Sequence, residues 1–265
     1  MNKFFFLIIF TLSFVLVGCS EAQTEKNAGT KKGSDQKKDA PQTKTKQPEE
    51  DTKKQPLTTE TAEEFLLDYV KNDNRSQVRI STDFGDIDIE LFMETPVHRA
   101  NFLYLTDIGY FDETEFYRVG AGFVCQAGNS DDFELQQLRA DIGKYTLIPE
   151  PRDSLFNRYG SVAMARQYKR NPEKRSSCYE FFINVGKPQS PAELKQVEEK
   201  YGVSLDENMK RVYSTEGGNP HLDNDHTVFG KVIRGMDVVE KINKVETDSR
   251  EWPKEAVNIT VKPLK

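Results

Sequence analysis

The chain has 265 residues, which is enough for one sizeable hydrophobic core with appendages or for two small domains. Only 36% of the residues are hydrophobic, and the net charge is −6 at pH 7. Lysines outnumber acidic residues between positions 21 and 56, so the acidic excess falls on the rest of the chain. An acidic domain argues against nucleic acid and against anionic membrane surfaces as its partners.

Residues 1–18 have the features of an export signal. Lys3 gives a positive start, and the apolar run that follows is too short to span a bilayer comfortably. The run ends in Gly18 and Cys19, a pattern that resembles the lipobox of bacterial lipoproteins. The resemblance implies that Cys19 carries acyl chains such as palmitate, which would anchor the protein to a bacterial membrane in the cell envelope, periplasmic or surface-exposed. An ordinary secretory signal with an incidental cysteine is the alternative.

Residues 19–56 are predicted to form a disordered tether behind the lipidated cysteine. After Ser20 this segment contains no Val, Ile, Leu, Met, Phe, Trp or Tyr. Such a composition cannot bury enough apolar surface to offset the loss of chain entropy. A flexible segment of this length spans roughly 30 Å r.m.s., so it would hold a folded domain clear of the membrane.

Residues 57–77 are predicted to form a helical extension of the domain that follows. The helix is expected between Thr61 and Asn72, with Thr61 as its N-cap and Glu64 completing a capping box. Its apolar face would consist of Phe65, Leu66, Tyr69 and Val70. This face is expected to pack on the following domain.

Residues 78–265 are predicted to form a domain rich in short strands. Ile87, Ile89 and Leu91 alternate with acidic residues, which is the period of a half-buried strand, and a tight turn precedes them. Core helices are expected to begin at Pro96 and at Met236. Further strands are predicted near residues 78–80, 116–119, 122–126, 161–165, 180–185, 227–233 and 257–261. Many short strands with only two core helices favour a mainly β fold, a closed antiparallel barrel.

Three stretches, in this order, resemble the cyclophilins. They are residues 116–118 with 122–128, residues 160–165 with 180–183, and residues 222–232 with 235–239. The resemblance extends from about Val78 to Val261. It implies a closed eight-stranded antiparallel barrel capped by two helices, with a groove on its outer face for proline-containing polypeptides. It also implies peptidyl-prolyl cis-trans isomerase (rotamase) activity, which would assist the folding of exported envelope proteins.

Rotation about a prolyl peptide bond requires no nucleophile, metal or cofactor. The barrier of roughly 18–20 kcal/mol comes from C–N resonance, and a hydrogen bond to the prolyl nitrogen or to its carbonyl lowers it. The resemblance implies that Arg118 is this donor, and arginine suits the task because it is always charged and presents a rigid fork of N–H groups. It also implies that Gln126 binds substrate backbone and orients Arg118. A surface arginine on a strand is the alternative for Arg118.

The resemblance also implies a set of substrate-binding residues. An apolar floor and walls for the proline ring are expected from Phe123, Phe182 and Leu222, although aromatic residues on strands are usually core. Phe181, next to Phe182, is expected to point to the opposite face and is the better core candidate. His226 is expected at the pocket edge, and the backbone of Ala165 is expected to pair with an extended peptide.

Four further positions in this implied groove depart from the family pattern. Val124 replaces a methionine, His221 a tryptophan, Arg166 an asparagine and Glu180 a glutamine. A carboxylate at Glu180 is expected close to Arg118, where it would either orient the guanidinium or pair with it and blunt its action. The sequence leaves these two possibilities open.

Residues 184–221 are predicted to be an insertion that contains a helical hairpin. One helix would begin at Ser190 and another would span residues 205–213. The hairpin would select substrates or act as a lid, or it would only stabilise the surface. Two functions compete with catalysis: a non-catalytic chaperone that binds proline segments, and a scaffold lipoprotein. Cys125 and Cys178 give no metal-binding spacing and are expected to be unpaired, although a disulfide is permitted outside the cytoplasm.

Overall fold

The structure is a computed structural model that describes residues 55–264 of the chain. The predictions for the export signal, for Cys19 and for the tether as far as residue 54 lie outside the described residues. Within the described range, the helices are α1 (Thr59–Tyr69), α2 (Pro96–Asp107), α3 (Phe133–Ile142), α4 (Pro191–Tyr201), α5 (Glu207–Thr215) and α6 (Met236–Ile242), with 3-10 helices at Tyr110–Glu113 and Pro220–Leu222. No helix in this range is long and apolar enough to cross a membrane.

The strands of the described range form one large sheet and two small ones. They are β1 (Leu57–Thr58), β2 (Gln77–Thr82), β3 (Gly85–Leu91), β4 (Glu115–Gly120), β5 (Val124–Asn129), β6 (Gly143–Lys144), β7 (Thr146–Leu147), β8 (Ser161–Met164), β9 (Ser176–Ser177), β10 (Phe181–Asn184), β11 (Val228–Arg234) and β12 (Thr260–Pro263). The large sheet has eight strands in the order β12-β2-β3-β11-β8-β10-β5-β4, and its neighbours are antiparallel throughout. The short pairs β1-β6 and β7-β9 form the small sheets.

The prediction of a closed barrel is wrong, because the sheet is open between its edge strands β4 and β12. An isolated bridge links Glu115 of β4 to Asn258, which precedes β12 in the chain. Beyond that bridge the outer edge of β4 contacts a loop instead of a strand, since the Val119 N–H donates to the Glu251 carbonyl at 2.8 Å. The pairing of β4 with β5 also shifts register twice, between Glu115 and Arg118. Such bulges bend and twist a strand, and β4 and β12 form no ladder with each other.

The main core lies on one face of the large sheet and is dominated by aromatic side chains. Phe102 of α2 is fully buried, and its ring lies 4.7 Å from that of Phe111, 5.2 Å from that of Phe181 and 5.5 Å from that of Phe229, centroid to centroid. Because successive residues of a strand point to opposite faces, Phe182 leaves this core and joins a separate cluster. The expectation that Phe181 is the core residue of this pair is confirmed.

Helix α1 packs against α2, as its apolar pattern predicts, and Ala62 and Leu66 are buried there. Its N-cap is Thr58 and not Thr61, so the predicted cap is wrong. Thr61 instead occupies the third position of the helix, and its hydroxyl accepts from the Thr58 N–H at 3.1 Å. The chain adds Leu57 to the core just before the helix, through parallel pairing with Gly143.

Two helices of the insertion, α4 and α5, are present as predicted. Ser190 caps α4 in a capping box, in which its own N–H donates to Glu193 Oε2 at 2.7 Å. The insertion forms a small core with Phe156, a residue that precedes it in the chain. Its own members of this core are Leu194, Leu205, Met209, Val212 and Tyr213. Sequence patterns did not predict helix α3, which lies between β5 and β6. Cys125 and Cys178 are both unpaired and buried, as expected.

Candidate active site

A row of side chains crosses five adjacent strands of the large sheet on its outer face. Arg118 of β4 is paired with Gln126 of β5, which is paired with Phe182 of β10. The row continues through Ala163 of β8 to Val228 of β11. Directly opposed residues in antiparallel strands present their side chains on the same face. The sheet register therefore sets a polar end, made by Arg118 and Gln126, beside an apolar end.

The apolar end is a compact cluster that is separate from the main core. Its buried members are Val124, Ala163, Ala165, Phe182, Leu222 and Val228, and Phe92, Phe123 and Leu155 pack against them in partly exposed positions. Leu222 enters from the 3-10 helix that ends the insertion. The predicted floor residues Phe123, Phe182 and Leu222 are thus brought together, with Val124 beneath them.

The Arg118 guanidinium lies at the edge of this floor, 5.8 Å from the centroid of the Phe123 ring. Its Nη1 donates to Gln126 Oε1 at 3.2 Å. The amide of Gln126 is fixed in turn, because its Nε2 donates to the Tyr117 hydroxyl. Gln126 therefore holds the guanidinium from one side, which is the orienting contact that the resemblance implies.

A carboxylate does contact Arg118, but it belongs to Glu251 and not to Glu180. Arg118 Nη2 lies 2.8 Å from Glu251 Oε2, and both side chains are partly exposed, at 37% and 47%. Glu251 has a positive φ of 66°, which is uncommon for a residue other than glycine. Its neighbour Trp252 packs on Tyr117 with ring centroids 5.4 Å apart. No local sequence pattern indicated this loop as part of the site.

Glu180 has different partners, so the expectation that its carboxylate lies against Arg118 is wrong. The Glu180 carboxylate lies 3.5 Å from Arg139 Nη2 and accepts from the Ser177 hydroxyl at 3.0 Å. Arg139 belongs to α3, the helix that was missed, and its guanidinium stacks on the Tyr179 ring at 4.8 Å. Glu180 therefore pairs with a residue of α3, and Arg118 pairs with Glu251.

His226 closes one edge of the floor as a neutral ring. Its Nδ1 lies 2.9 Å from the Met164 carbonyl and its Nε2 lies 2.7 Å from the Tyr168 hydroxyl. A carbonyl can only accept, so Nδ1 carries the proton and Nε2 accepts from Tyr168. Burial lowers the pKa of His226 to about 4, and the nearby Arg166 guanidinium acts in the same direction. The ring stands edge-on to Phe182, with centroids 5.2 Å apart.

His221 lies at the edge of the floor next to Phe123, where its ring packs against two aromatic rings. Its centroid is 5.6 Å from that of Phe123 and 5.3 Å from that of Tyr201. Burial and the nearby Lys200 charge lower the pKa of His221. Tyr201 comes from α4 of the insertion and is half exposed. The insertion therefore supplies part of the rim of the site, and Tyr201 is a member of that rim which sequence patterns did not indicate.

Ala165 and Arg166 lie where β8 leaves the sheet. The Ala165 N–H donates to the Glu180 carbonyl at 2.9 Å, and the Ala165 carbonyl accepts from the Ser177 N–H at 2.8 Å. The backbone of Ala165 was expected to pair with a peptide, but its N–H is already engaged within the protein, so only the second lone pair of its carbonyl remains for such pairing. Arg166 lies 3.0 Å from Asp225 and stacks on the Tyr168 ring at 4.3 Å.

This arrangement can bind a small apolar ring and donate hydrogen bonds beside it. Two contacts of the Arg118 fork are internal, and its remaining N–H groups can serve a bound group. The floor lies directly next to them. Among residues 55–264, no group of three or more His, Cys, Asp or Glu side chains could hold a metal ion.

Comparisons with known proteins by sequence all find peptidyl-prolyl cis-trans isomerases. Residues 77–262 match the sequence model of the family described as cyclophilin type peptidyl-prolyl cis-trans isomerase/CLD. A peptidyl-prolyl cis-trans isomerase from Acinetobacter baylyi is 32% identical over 192 residues, which cover 69% of this chain and 82% of that protein. A Streptococcus pyogenes protein, whose name joins a phosphatase to a peptidyl-prolyl cis-trans isomerase, is 31% identical over 193 residues. The match covers 72% of this chain but only 39% of that longer protein.

The fold is similar to that of a solved structure of low sequence identity. A crystal structure of a Cryptosporidium parvum cyclophilin type peptidyl-prolyl cis-trans isomerase has a TM-score of 0.51 and 22% identity. The match covers 72% of this chain and 98% of that one. The same protein crystallised in the presence of the dipeptide Ala-Pro gives a TM-score of 0.50.

Proposed function

Since this chain belongs to the cyclophilin-type peptidyl-prolyl cis-trans isomerase family, we propose that it catalyses rotation about prolyl peptide bonds in proline-containing polypeptides. The observation that supports this most directly is the position of the Arg118 guanidinium beside the floor of Phe123, Phe182 and Leu222. An apolar floor can hold a proline ring still, while the chain on the other side of the bond rotates.

Arg118 would act on the prolyl nitrogen as the bond twists. Resonance in the planar amide gives the barrier of roughly 18–20 kcal/mol. When the bond is twisted, the nitrogen regains a lone pair that can accept a hydrogen bond, so a donor placed there stabilises the transition state more than either planar isomer. One preplaced donor is worth about 3 kcal/mol by analogy with oxyanion holes. Gln126, which accepts a hydrogen bond from Arg118, would keep the Arg118 guanidinium oriented toward the prolyl nitrogen.

An isomerase assay on an Ala-Pro peptide tests this proposal. We expect kcat/KM to fall about a hundredfold in Arg118→Ala, which corresponds to the roughly 3 kcal/mol above. Arg234→Ala is the matched control, because Arg234 also lies on a strand, is 57% exposed and pairs with a carboxylate, Asp88. Its rate should equal that of the wild type. If the wild type does not exceed the uncatalysed rate, or if Arg118→Ala keeps the wild-type rate, the proposal is wrong.

Binding of prolyl segments without catalysis is a second candidate function, and the ion pair between Arg118 and Glu251 favours it. A carboxylate 2.8 Å from the guanidinium competes for the N–H groups that catalysis would use. In this case the Ala-Pro peptide would shift the NMR signals of residues around Phe123 without any increase in its isomerisation rate. Catalysis by the wild-type protein would exclude this function.

We also propose that the protein is a lipid-anchored member of the bacterial cell envelope, which assists the folding of exported proteins. The support is the sequence alone: the apolar run that leads into Cys19, followed by a segment without large apolar residues. Uncatalysed prolyl isomerisation takes tens of seconds, which is slow enough to limit folding. Labelling of cells with a clickable palmitate analogue should mark the wild type and not Cys19→Ala. Equal labelling of the two proteins would contradict the anchor.

A further inference from the structure

A cavity with a volume of about 830 Å³ adjoins the candidate active site. Gln126 and Ala165 lie in its wall, and both belong to the site described above. A polypeptide that places a proline on the floor would therefore pass the mouth of this cavity. Consecutive Cα atoms are 3.8 Å apart, so a residue one to three positions from the proline can reach it.

Basic side chains predominate in the wall of this cavity. The wall contains five of them, Arg139, Lys144, Arg166, Arg170 and Arg175. The only acidic residue in the wall is Glu180, which pairs with Arg139. Lys144 and Arg170 are exposed and make no ion pair within residues 55–264. A positive cavity stands out in a chain whose net charge is −6.

Arg166 adds a fixed positive charge to the wall of the cavity. Its side chain is only 6% exposed, and its Nη2 group lies 3.0 Å from Asp225. Its Nη1 donates to the Gln167 carbonyl at 3.3 Å, and its planar face lies on Tyr168 at 4.3 Å. The Arg166 guanidinium is therefore held in one position, whereas the exposed Lys144 and Arg170 side chains are the ones that a bound group can reach.

We propose that this cavity binds the carboxylate of an acidic residue of the substrate, so that the enzyme prefers proline segments with Asp or Glu within three residues of the proline. This inference rests on the proposed isomerase function. Lys144 and Arg170 attract the carboxylate at the mouth of the cavity, and the fixed charge of Arg166 in the wall favours the carboxylate there. Because exposed charges take part, the preference weakens as salt increases.

The test compares peptides that contain Ala-Pro and differ only by Glu or Gln at each of the three positions on either side of that pair. Rates are measured by NMR exchange, which needs no coupling protease. For at least one position, we expect kcat/KM to be about tenfold higher with Glu than with Gln at low salt, and nearly equal in 0.5 M NaCl. A ratio near one at every position at low salt overturns the proposal.

Variants separate this cavity from a general effect of charge. The double variant Lys144→Gln/Arg170→Gln changes only exposed side chains and should reduce the Glu-to-Gln ratio at least threefold. Lys231→Gln is the control, because Lys231 is an exposed lysine of β11 outside the cavity, and it should leave the ratio unchanged. An unchanged ratio in the double variant, or an equal decrease in the control, overturns the proposal.

Failure of the isomerase function can be distinguished from failure of this inference. If neither peptide is isomerised, the affinities of the same Glu and Gln peptides are measured by chemical-shift titration of the wild type and the double variant. Tighter binding of the Glu peptide that is lost in the double variant supports the acidic site without catalysis. Equal affinities for the two peptides overturn it.

Discussion

His226 should make the protein less stable as the pH falls from neutral to about 4. The ordinary pKa of histidine is 6.5, and burial lowers that of His226 to about 4 in the folded protein. Below pH 6.5 the unfolded chain binds a proton at His226 that the folded protein does not accept until about pH 4. The free energy of unfolding therefore decreases across this interval. At 1.36 kcal/mol per pH unit the decrease is at most about 3 kcal/mol, because part of the ring remains accessible to water.

The hydrogen bonds and charges around His226 act in both directions on its pKa and are weaker than the effect of burial. Nε2 accepts from the Tyr168 hydroxyl at 2.7 Å, and a protonated ring could no longer accept there. Nδ1–H donates to the Met164 carbonyl, which favours the charged ring slightly but does not outweigh burial. Asp225 favours the proton weakly, whereas Arg166 opposes it. Burial is therefore the main cause.

Urea unfolding of the wild type and of His226→Gln at pH 7.5, 6.0, 5.0 and 4.0 tests this reasoning. Many carboxylates titrate over the same range, so only the difference in free energy of unfolding between the two proteins isolates His226. At pH 7.5 the wild type should be the more stable, and its advantage should shrink by about 2–3 kcal/mol by pH 4. A difference that stays constant with pH would refute the argument. So would an NMR titration of the His226 ring with a midpoint above pH 6.

Two further substitutions test contacts that the structure identifies. Glu251→Gln frees the Arg118 fork from a partly exposed ion pair, which is worth up to about 1 kcal/mol, and kcat/KM for a neutral Ala-Pro peptide should increase up to about fivefold. A tenfold decrease would show instead that Glu251 holds Arg118 in its active orientation. Gly128→Ala should lower the free energy of unfolding by at least 3 kcal/mol, because φ is +96° and the new Cβ would lie 2.1 Å from the Tyr179 carbonyl oxygen. The control Gly109→Ala has φ +75° with nothing within 4 Å of the Cβ, so it should cost only about 1 kcal/mol by urea unfolding, and equal losses in the two variants would contradict the steric argument.

The strands of the large sheet and the face that their residues occupy could be predicted from the sequence, because both depend on local patterns. Alternation of apolar residues gave β3, and the two-residue period separated Phe181 in the core from Phe182 in the site. The predicted floor and Arg118 then come together because the register of antiparallel strands aligns them. The helices of the insertion were also predictable, since Ser190 and Glu193 form a capping box within one turn.

Contacts between distant segments were decided only by the tertiary structure. The carboxylate beside Arg118 belongs to Glu251, in a loop that covers the edge of β4, and no spacing in the sequence relates the two residues. That same loop, with the bulges in β4, leaves the barrel open where a closed one was predicted. Glu180 is only two residues from Phe182 of the site, yet its carboxylate pairs with Arg139 of α3 and not with Arg118. Local pattern fixes which way a side chain points, whereas its partner depends on packing and on the competition among all nearby charges, which only the folded chain brings together.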